Sequence, residues 1–175
     1  MDKLTVDPVL TLFRYLEYKR QNLFIVEFDA VDAITVFSAD RPRLSLGETY
    51  KVKYPNIYEK MQSGGGEWLP LSFVLNDTIA PSAAEKLYNW VTKQWDYLSA
   101  RAGYKADYAK NLVIKLLDPN GLIVESWVLH NSFLTGEIDW NVNGLNYDSS
   151  DRLKVKFTLD YDFAELITGG GPSGL

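Results

Sequence analysis

The sequence has no cysteine and a single histidine, His130. Without cysteine the chain can form neither a disulfide nor a thiolate zinc site. It also lacks the metalloprotease, CxxC, phosphate-loop and nucleophile-elbow motifs. A lone histidine just past a predicted strand, with no orienting partner fixed by spacing, is more typical of an ordinary structural residue than of a general base. We therefore expect neither an enzyme nor a cofactor-binding protein.

Long apolar runs are also missing, since none approaches the ~20 residues that span a bilayer. The first residues, Met-Asp-Lys-Leu-Thr-Val-Asp-Pro, lack the basic start and the apolar core of a signal peptide. The net charge of −5, from 18 basic and 23 acidic residues, disfavours a protein that grips nucleic acid through its phosphates. We expect a cytosolic origin, no membrane contact and one domain.

Strict alternation is what the sequence has in abundance. From Arg152 to Phe163 every second residue is apolar and the others are polar, a period of two that predicts one long β-strand. A strand with one dry and one wet face is typical of a large antiparallel sheet. Shorter strands are predicted at 22–28, 33–39, 68–76, 111–117, 122–129 and 136–141. The first two of these are expected to pair as a hairpin.

Two helices are predicted between the strands. Asp7-Pro8 followed by an apolar stripe indicates an amphipathic helix over about 8–19. Ser82 and Glu85 fit a capping box, in which each side chain satisfies a backbone donor of the first turn. This second helix is predicted over about 83–99. It should pack on the sheet through apolar residues at helical spacing, which are Ala84, Leu87, Val91, Trp95 and Leu98.

Turn chemistry marks two further features. Asp118-Pro-Asn-Gly121 has the composition of a tight turn, so it predicts a β-hairpin between the strands on either side. Residues 41–68 form a long excursion, with strand pieces at 44–46 and 50–54 and a glycine run at 64–66. Excursions of this length in compact domains are usually functional or disordered. We interpret this one as a mobile hairpin.

The predicted fold class is therefore mainly β: a sandwich or partial barrel of antiparallel strands with one principal helix. The predicted organisation is an N-terminal helical segment at 1–20, a single β domain at 21–163 and a flexible glycine-rich tail at 164–175. The excursion at about 41–68 belongs to the β domain.

The order of these elements resembles the tail tube proteins of contractile-tailed bacteriophages. The likeness covers roughly 20–162 and is spread over several short stretches, of which none is specific alone. They are Gln21-Asn22-Leu23-Phe24-Ile25-Val26-Glu27, Leu71 to Asp77 with the following tryptophan-bearing helix, Asp107-Tyr108-Ala109-Lys110, Asp139-Trp140 and Leu159-Asp160-Tyr161. Phage-derived injection systems have related inner tubes. The chain departs from the family in its triple glycine and in the 14 residues that follow Tyr161, where the family's chains often stop (175 − 161).

The resemblance implies hexameric rings that stack into a hollow tube inside a contractile sheath, within a tail-tube-like fold. The implied partners are the chain itself, the sheath protein, the tape measure protein and baseplate or terminator proteins, with no cofactor. DNA would pass through the channel without specific binding. Six copies at −5 each would give a ring of −30 that repels phosphate. The implied location is the virion tail, assembled in the cytoplasm of the bacterial host.

Two sets of residues are candidates for this role. The polar face of the long strand would line the channel, through Lys154, Lys156, Thr158, Asp160 and Asp162. The excursion would contact a neighbouring ring, through Tyr50, Lys51, Lys53, Tyr54 and Tyr58.

Three alternatives stay open from the sequence. A tube-initiating, tube-terminating or baseplate component would share this fold. The inner tube of a phage-derived injection system would pass protein effectors instead of DNA. A carbohydrate-binding β-sandwich, a different class, would use exposed tryptophan or tyrosine as stacking surfaces.

Overall fold

A computed structural model describes residues 18–27, 36–80, 82–142 and 144–168. Within them the chain is mostly antiparallel strands with two helices, which confirms the predicted fold class. The strands are β1 Phe24–Glu27, β2 Val36–Ala39, β3 Arg43–Leu46, β4 Thr49–Lys53, β5 Tyr58–Gln62, β6 Gly66–Leu69, β7 Leu71–Asn76, β8 Trp95–Asp96, β9 Arg101–Ala102, β10 Lys110–Leu117, β11 Ile123–Asp139, β12 Lys154–Asp160 and β13 Phe163–Thr168. The helices are α1 Ala83–Gln94 and α2 Lys105–Tyr108.

Two sheets share strand β11, which at 17 residues is long enough to belong to both. The first sheet has the order β1-β10-β11-β13 and uses the first half of β11. The second sheet has the order β11-β12-β7-β2 and uses the second half. All of these pairings are antiparallel, as the alternating sequence pattern predicts.

The sheets meet at a corner where β11 and its partner both bend. On β11 the bend lies at Asn131, which has a positive φ of 55°. On the facing chain, Tyr161 and Asp162 separate β12 from β13. Asp162 is held there, since its backbone N–H donates to the His130 carbonyl at 3.1 Å and its carboxylate accepts from the Asn131 amide at 2.8 Å. Strands that change sheet through such bends are how two sheets share one core.

The core contains inward side chains of both sheets and of α1. Leu71, Phe73, Leu75, Val155, Phe157 and Leu159 of the second sheet are fully buried. The first sheet adds Val26, Leu112, Ile114 and Leu129, and α1 adds Ala83, Leu87 and Trp90. Burying these side chains on folding provides most of the stability of the domain.

Helix α1 begins where the capping residues predict and ends earlier than predicted. The Ser82 hydroxyl accepts from the Glu85 backbone N–H at 3.3 Å. The Asp77 carboxylate accepts from the backbone N–H of Ala83 at 2.9 Å. The helix stops at Gln94, not 99, because Trp95 is extended and pairs with Ala102. Trp95 and Leu98, expected to pack on the sheet, are 52% and 82% exposed.

Four other predictions are corrected by the pairing. The described parts of the strands predicted over 22–28 and 33–39 do not pair with each other as a hairpin: β1 pairs with β10 and β2 with β7. The strand predicted over 152–163 ends at Asp160, and a bend separates it from β13. Residues 136–139 continue β11 instead of forming a strand of their own. Residues 164–168, predicted as flexible tail, lie in β13, which pairs with β11.

Parts of some predictions lie outside the described residues. The helix predicted over 8–19 does so except for Tyr18 and Lys19, and these two residues are not helical. The beginning of the strand predicted over 33–39 and the glycine-rich end of the chain from 169 also lie outside.

Candidate assembly surfaces

The excursion predicted at 41–68 is built from two successive antiparallel ribbons. We call its paired residues, 43–69, the arm. The inner ribbon pairs β3 with β6, from Arg43 opposite Leu69 to Leu46 opposite Gly66. The outer ribbon pairs β4 with β5, from Thr49 opposite Gln62 to Lys53 opposite Tyr58. The arm is therefore a hairpin, as predicted, with a break in its ladder between the ribbons.

Glycines form the junction between the ribbons. The Gly47 N–H donates to the Gly65 carbonyl at 3.0 Å, and the Ser63 N–H donates to the Glu48 carbonyl at 2.8 Å. Gly64 and Gly65 have positive φ values of 78° and 89°, which favour glycine. A side chain at Gly47 would place its Cβ 2.9 Å from the Gly64 carbonyl oxygen. The triple glycine thus joins two hydrogen-bonded ribbons and is not an unstructured linker.

The outer ribbon exposes nearly all of its side chains. Among its large ones, Tyr50, Tyr54, Ile57, Tyr58 and Met61 are all at least 38% exposed. Internal contacts are few: the Tyr50 hydroxyl lies 3.5 Å from the Met61 sulfur, and the Tyr54 hydroxyl donates to Glu59 at 3.2 Å. An isolated two-stranded ribbon is marginally stable in water, and a contiguous exposed apolar surface usually marks an interaction site.

The arm residues singled out from the sequence lie together on this ribbon. Tyr50, Lys51 and Lys53 belong to β4, Tyr58 begins β5, and Tyr54 lies in the turn between them. Lys53 and Tyr58 face each other across the ladder. Their shared exposure fits a contact surface, while their role in a ring-to-ring contact stays a prediction.

The polar face of the second sheet holds four of the five candidate channel residues. Lys154, Lys156, Thr158 and Asp160 alternate with buried Val155, Phe157 and Leu159, so they lie on the side away from the core. Lys156 is the most open of the four. The Lys154 ammonium lies 3.7 Å from the centre of the Phe37 ring on β2, a cation–π contact across the face.

The fifth candidate, Asp162, is separated from this face by the bend after β12. Its carboxylate accepts from the Lys105 ammonium at 2.5 Å and from the Asn131 amide at 2.8 Å. These hydrogen bonds, that from Lys105 first, lower the pKa of Asp162. Asp162 thus belongs to the corner of the fold, and the structure does not bring it together with the other four.

Glu125 is a charged residue that the sequence pattern did not identify as a candidate. It lies on the first half of β11 with its side chain only 4% exposed. The carboxylate accepts hydrogen bonds from the Lys19 ammonium, the Arg41 guanidinium and the Trp127 indole. Burial raises the pKa of Glu125, but the hydrogen bonds from Lys19, Trp127 and Arg41 outweigh it and lower the pKa to about 2. The sequence does contain one signal for this position. Glu125 lies two and four residues before the inward residues Trp127 and Leu129, so all three side chains share one face of the strand.

Metal-binding clusters and membrane-spanning helices are both absent from the described ranges. No group of three or more histidine, cysteine or acidic residues there could hold a metal ion. No helix within those ranges is long and apolar enough to cross a bilayer.

Comparisons with solved structures identify the class of this fold. A chain in the cryo-EM structure of the anti-feeding prophage tube terminating cap superposes with a TM-score of 0.66 at 17% identity, covering 88% of this chain and 94% of that one. A chain in the sheath-tube complex of the extracellular contractile injection system PVC gives a TM-score of 0.66 at 16% identity, covering 91% and 97%. Hcp1 from Flavobacterium johnsoniae gives 0.52 at 12% identity, covering 84% and 96%.

This chain therefore has the tail-tube fold of contractile injection systems. The resemblance seen in the sequence is confirmed for the fold. No family model and no curated protein matches the sequence.

Proposed function

We propose that this chain is the repeating subunit of an inner tube, in which hexameric rings stack inside a contractile sheath. The observation that carries the proposal is the exposed outer ribbon of the arm, attached to a domain with the tail-tube fold. A ribbon that buries almost nothing against the part of the chain that the structure describes needs a partner surface, and a neighbouring ring would supply one. Sheath, tape measure and baseplate or terminator proteins are the further partners of such a tube.

The second sheet would line the channel. Its strands alternate in direction, so β2 of one copy can pair antiparallel with the second half of β11 in the next. Each of these two strands has an edge that is unpaired among the described residues, and this pairing would remove both edges. Six such sheets give about 24 strands, and a spacing of about 4.8 Å sets a barrel diameter of at least about 37 Å. Strand tilt widens it further.

The cargo that fits a net acidic subunit is DNA, passing without specific binding. A ring of acidic subunits repels phosphate at long range. On the proposed lining itself the charges are nearly balanced, with Lys154 and Lys156 against Asp160 and Asp139, which pairs with Lys156 in register. A lining without a basic excess would let a polyanion slide. In an injection system the same tube would carry protein effectors.

Removing the outer ribbon should abolish ring stacking without unfolding the domain. Deleting 48–63 leaves Gly47, Gly64 and Gly65 to close the inner ribbon as a short glycine turn, since Gly47 already bonds to Gly65. We expect a folded subunit with near-normal thermal stability that forms no tubes in electron micrographs. As a control, Tyr50→Ser and Tyr58→Ser should weaken assembly while keeping the ribbon. Tubes of normal length from the deletion variant would contradict the arm's role in stacking.

A cysteine that replaces Lys156 should become inaccessible to a bulky thiol reagent when tubes form. The chain has no cysteine of its own, so Lys156→Cys provides one reactive thiol. In free subunits we expect rapid labelling by both a small maleimide and one attached to a polymer wider than the channel. In intact tubes the small reagent should still react while the bulky one should not, because the thiol faces an enclosed channel. Equal rates for the bulky reagent in tubes and subunits would place this face outside.

Negative-stain electron microscopy of the concentrated protein tests the function as a whole. Stacked rings or tubes of uniform width are expected for the repeating subunit. A single ring that never stacks would favour a tube-terminating or initiating component. A monomer at every concentration, whose melting temperature rises with glycans, would favour the carbohydrate-binding alternative.

A further inference from the structure

Glu125 connects three separate parts of the chain at a buried point. Lys19 precedes β1, Arg41 lies two residues before the arm, and Trp127 shares strand β11 with the carboxylate. The Lys19 and Arg41 side chains are about half exposed, whereas the Glu125 side chain is almost fully buried. The two basic side chains thus reach inward from the surface to a fixed acceptor.

Stability alone does not explain a buried carboxylate, because its desolvation offsets much of the energy gained from its ion pairs. Moving a charge out of water is unfavourable, and an apolar side chain of similar volume at such a site often leaves the protein equally stable. Buried ionic groups are best understood where they select one arrangement of the chain over others. The arrangement selected at Glu125 is the path of the chain into the arm.

The start of the arm is attached to both sheets at neighbouring residues. The Asp40 N–H donates to the Ser72 carbonyl on β7 at 3.1 Å, which is an attachment to the second sheet. Arg41 then binds Glu125 on the first half of β11, which is an attachment to the first sheet. With a single attachment the arm could rotate about it. Two attachments, one to each sheet, fix the direction of the arm relative to the domain. At the other end of the arm, the Trp68 ring packs on Tyr161 at 6.0 Å between centroids.

We propose that Glu125 is a positioning residue that fixes the direction in which the arm leaves the domain. Its consequence for assembly rests on the proposed function, in which the outer ribbon must reach a neighbouring ring. The direction itself is a property of the single subunit and can be measured without any assembly.

The experiment measures one distance in dilute subunits, using the absence of native cysteine. Spin labels at Ser45→Cys, on the exposed face of the inner ribbon, and Asn120→Cys, in the exposed turn between β10 and β11, report the direction of the arm relative to the domain. With Glu125 present, double electron–electron resonance should give one narrow distance peak. Glu125→Gln should abolish that single peak and give a broad distribution. Arg41→Gln, which keeps the carboxylate paired with Lys19, should also broaden it and serves if the first variant does not fold.

A matched control separates positioning from general destabilisation. Leu112→Ala removes a fully buried side chain of the same sheet that faces the core, so it should lower stability and leave the distance peak narrow. A narrow, unshifted peak in both Glu125→Gln and Arg41→Gln would overturn the inference. A broad distribution together with tubes of normal length would uphold the positioning role of Glu125 and contradict the arm's role in ring stacking, while the tube function itself would stand. A parent chain that gives the narrow peak but never forms rings or tubes would contradict the proposed function and leave the positioning role intact.

Discussion

Replacing Phe157 with alanine should lower the free energy of unfolding by about 3–5 kcal/mol, the usual range for a buried phenylalanine. The Phe157 ring is fully buried and stacks on Phe73 with centroids 5.5 Å apart and planes 14° apart. The two residues are direct partners across β12 and β7, so truncation opens a cavity at the centre of the second sheet. The measurement is urea denaturation of unassembled subunits, where the midpoint should fall at unchanged slope.

Two companion variants make this result specific. Thr158→Ala changes the next residue on the same strand, which points away from the core, and should alter stability by no more than about 0.5 kcal/mol. A double-mutant cycle of Phe73→Leu and Phe157→Leu should give a coupling of about 0.5–1.5 kcal/mol from the stacked rings. A small loss for Phe157→Ala, similar to that of Thr158→Ala, would mean that the sheet does not pack as described.

Local signals in the sequence predicted the local structure well. In the turn between β10 and β11, the Asp118 carboxylate accepts from the N–H groups of Asn120 at 2.8 Å and Leu122 at 2.7 Å. Gly121 there has a positive φ of 83°. Ser82 likewise caps the helix that its position predicts. In each case the residues that set the conformation are a few positions apart, so the sequence contains the whole interaction.

Strand partners were predicted poorly because pairing is not local. The pattern at 22–28 predicts a hairpin with the next strand in sequence, whereas β1 lies beside β10, with Val26 opposite Ile114. Alternation states which face of a strand is dry but not which strand lies beside it. The predicted strand over 152–163 failed for a related reason. Its alternation continues through Tyr161, but the corner that separates β12 from β13 is set by Asn131 and His130 on the facing strand.

The candidate surfaces also include residues that local pattern predicts and residues that depend on distant parts of the chain. The polar face of β12 could be predicted because exposure follows alternation along one strand, and four of its five residues share that face. Asp162 could not be separated from them, since its partner Lys105 is 57 positions away. Glu125 was missed because an acidic residue in a strand is ordinarily solvated. Only the fold brings Lys19 and Arg41 to it.

The stability of the subunit should fall in acid, and Glu125 should be a main cause. Its pKa in the folded protein is about 2, below the ordinary value of 4.5. Because the unfolded chain binds this proton more readily, the stabilisation is fully present above about pH 4.5 and is lost as the pH falls towards 2. The shift corresponds to about 3 kcal/mol as an upper estimate. Glu125→Gln should therefore be less stable than the parent at pH 7 by an amount of this order.

The decisive measurement is the difference in stability between parent and Glu125→Gln as the pH is lowered from 7 to 2. Other carboxylates titrate in both proteins and largely cancel, so the difference isolates Glu125. It should be constant down to about pH 5 and then shrink towards zero, because a protonated glutamate and a glutamine are similar neutral groups. Lys115→Gln, which removes an exposed pair with Glu27, should show no comparable loss. A difference that does not change with pH would mean that Glu125 acts through packing alone and not through its charge.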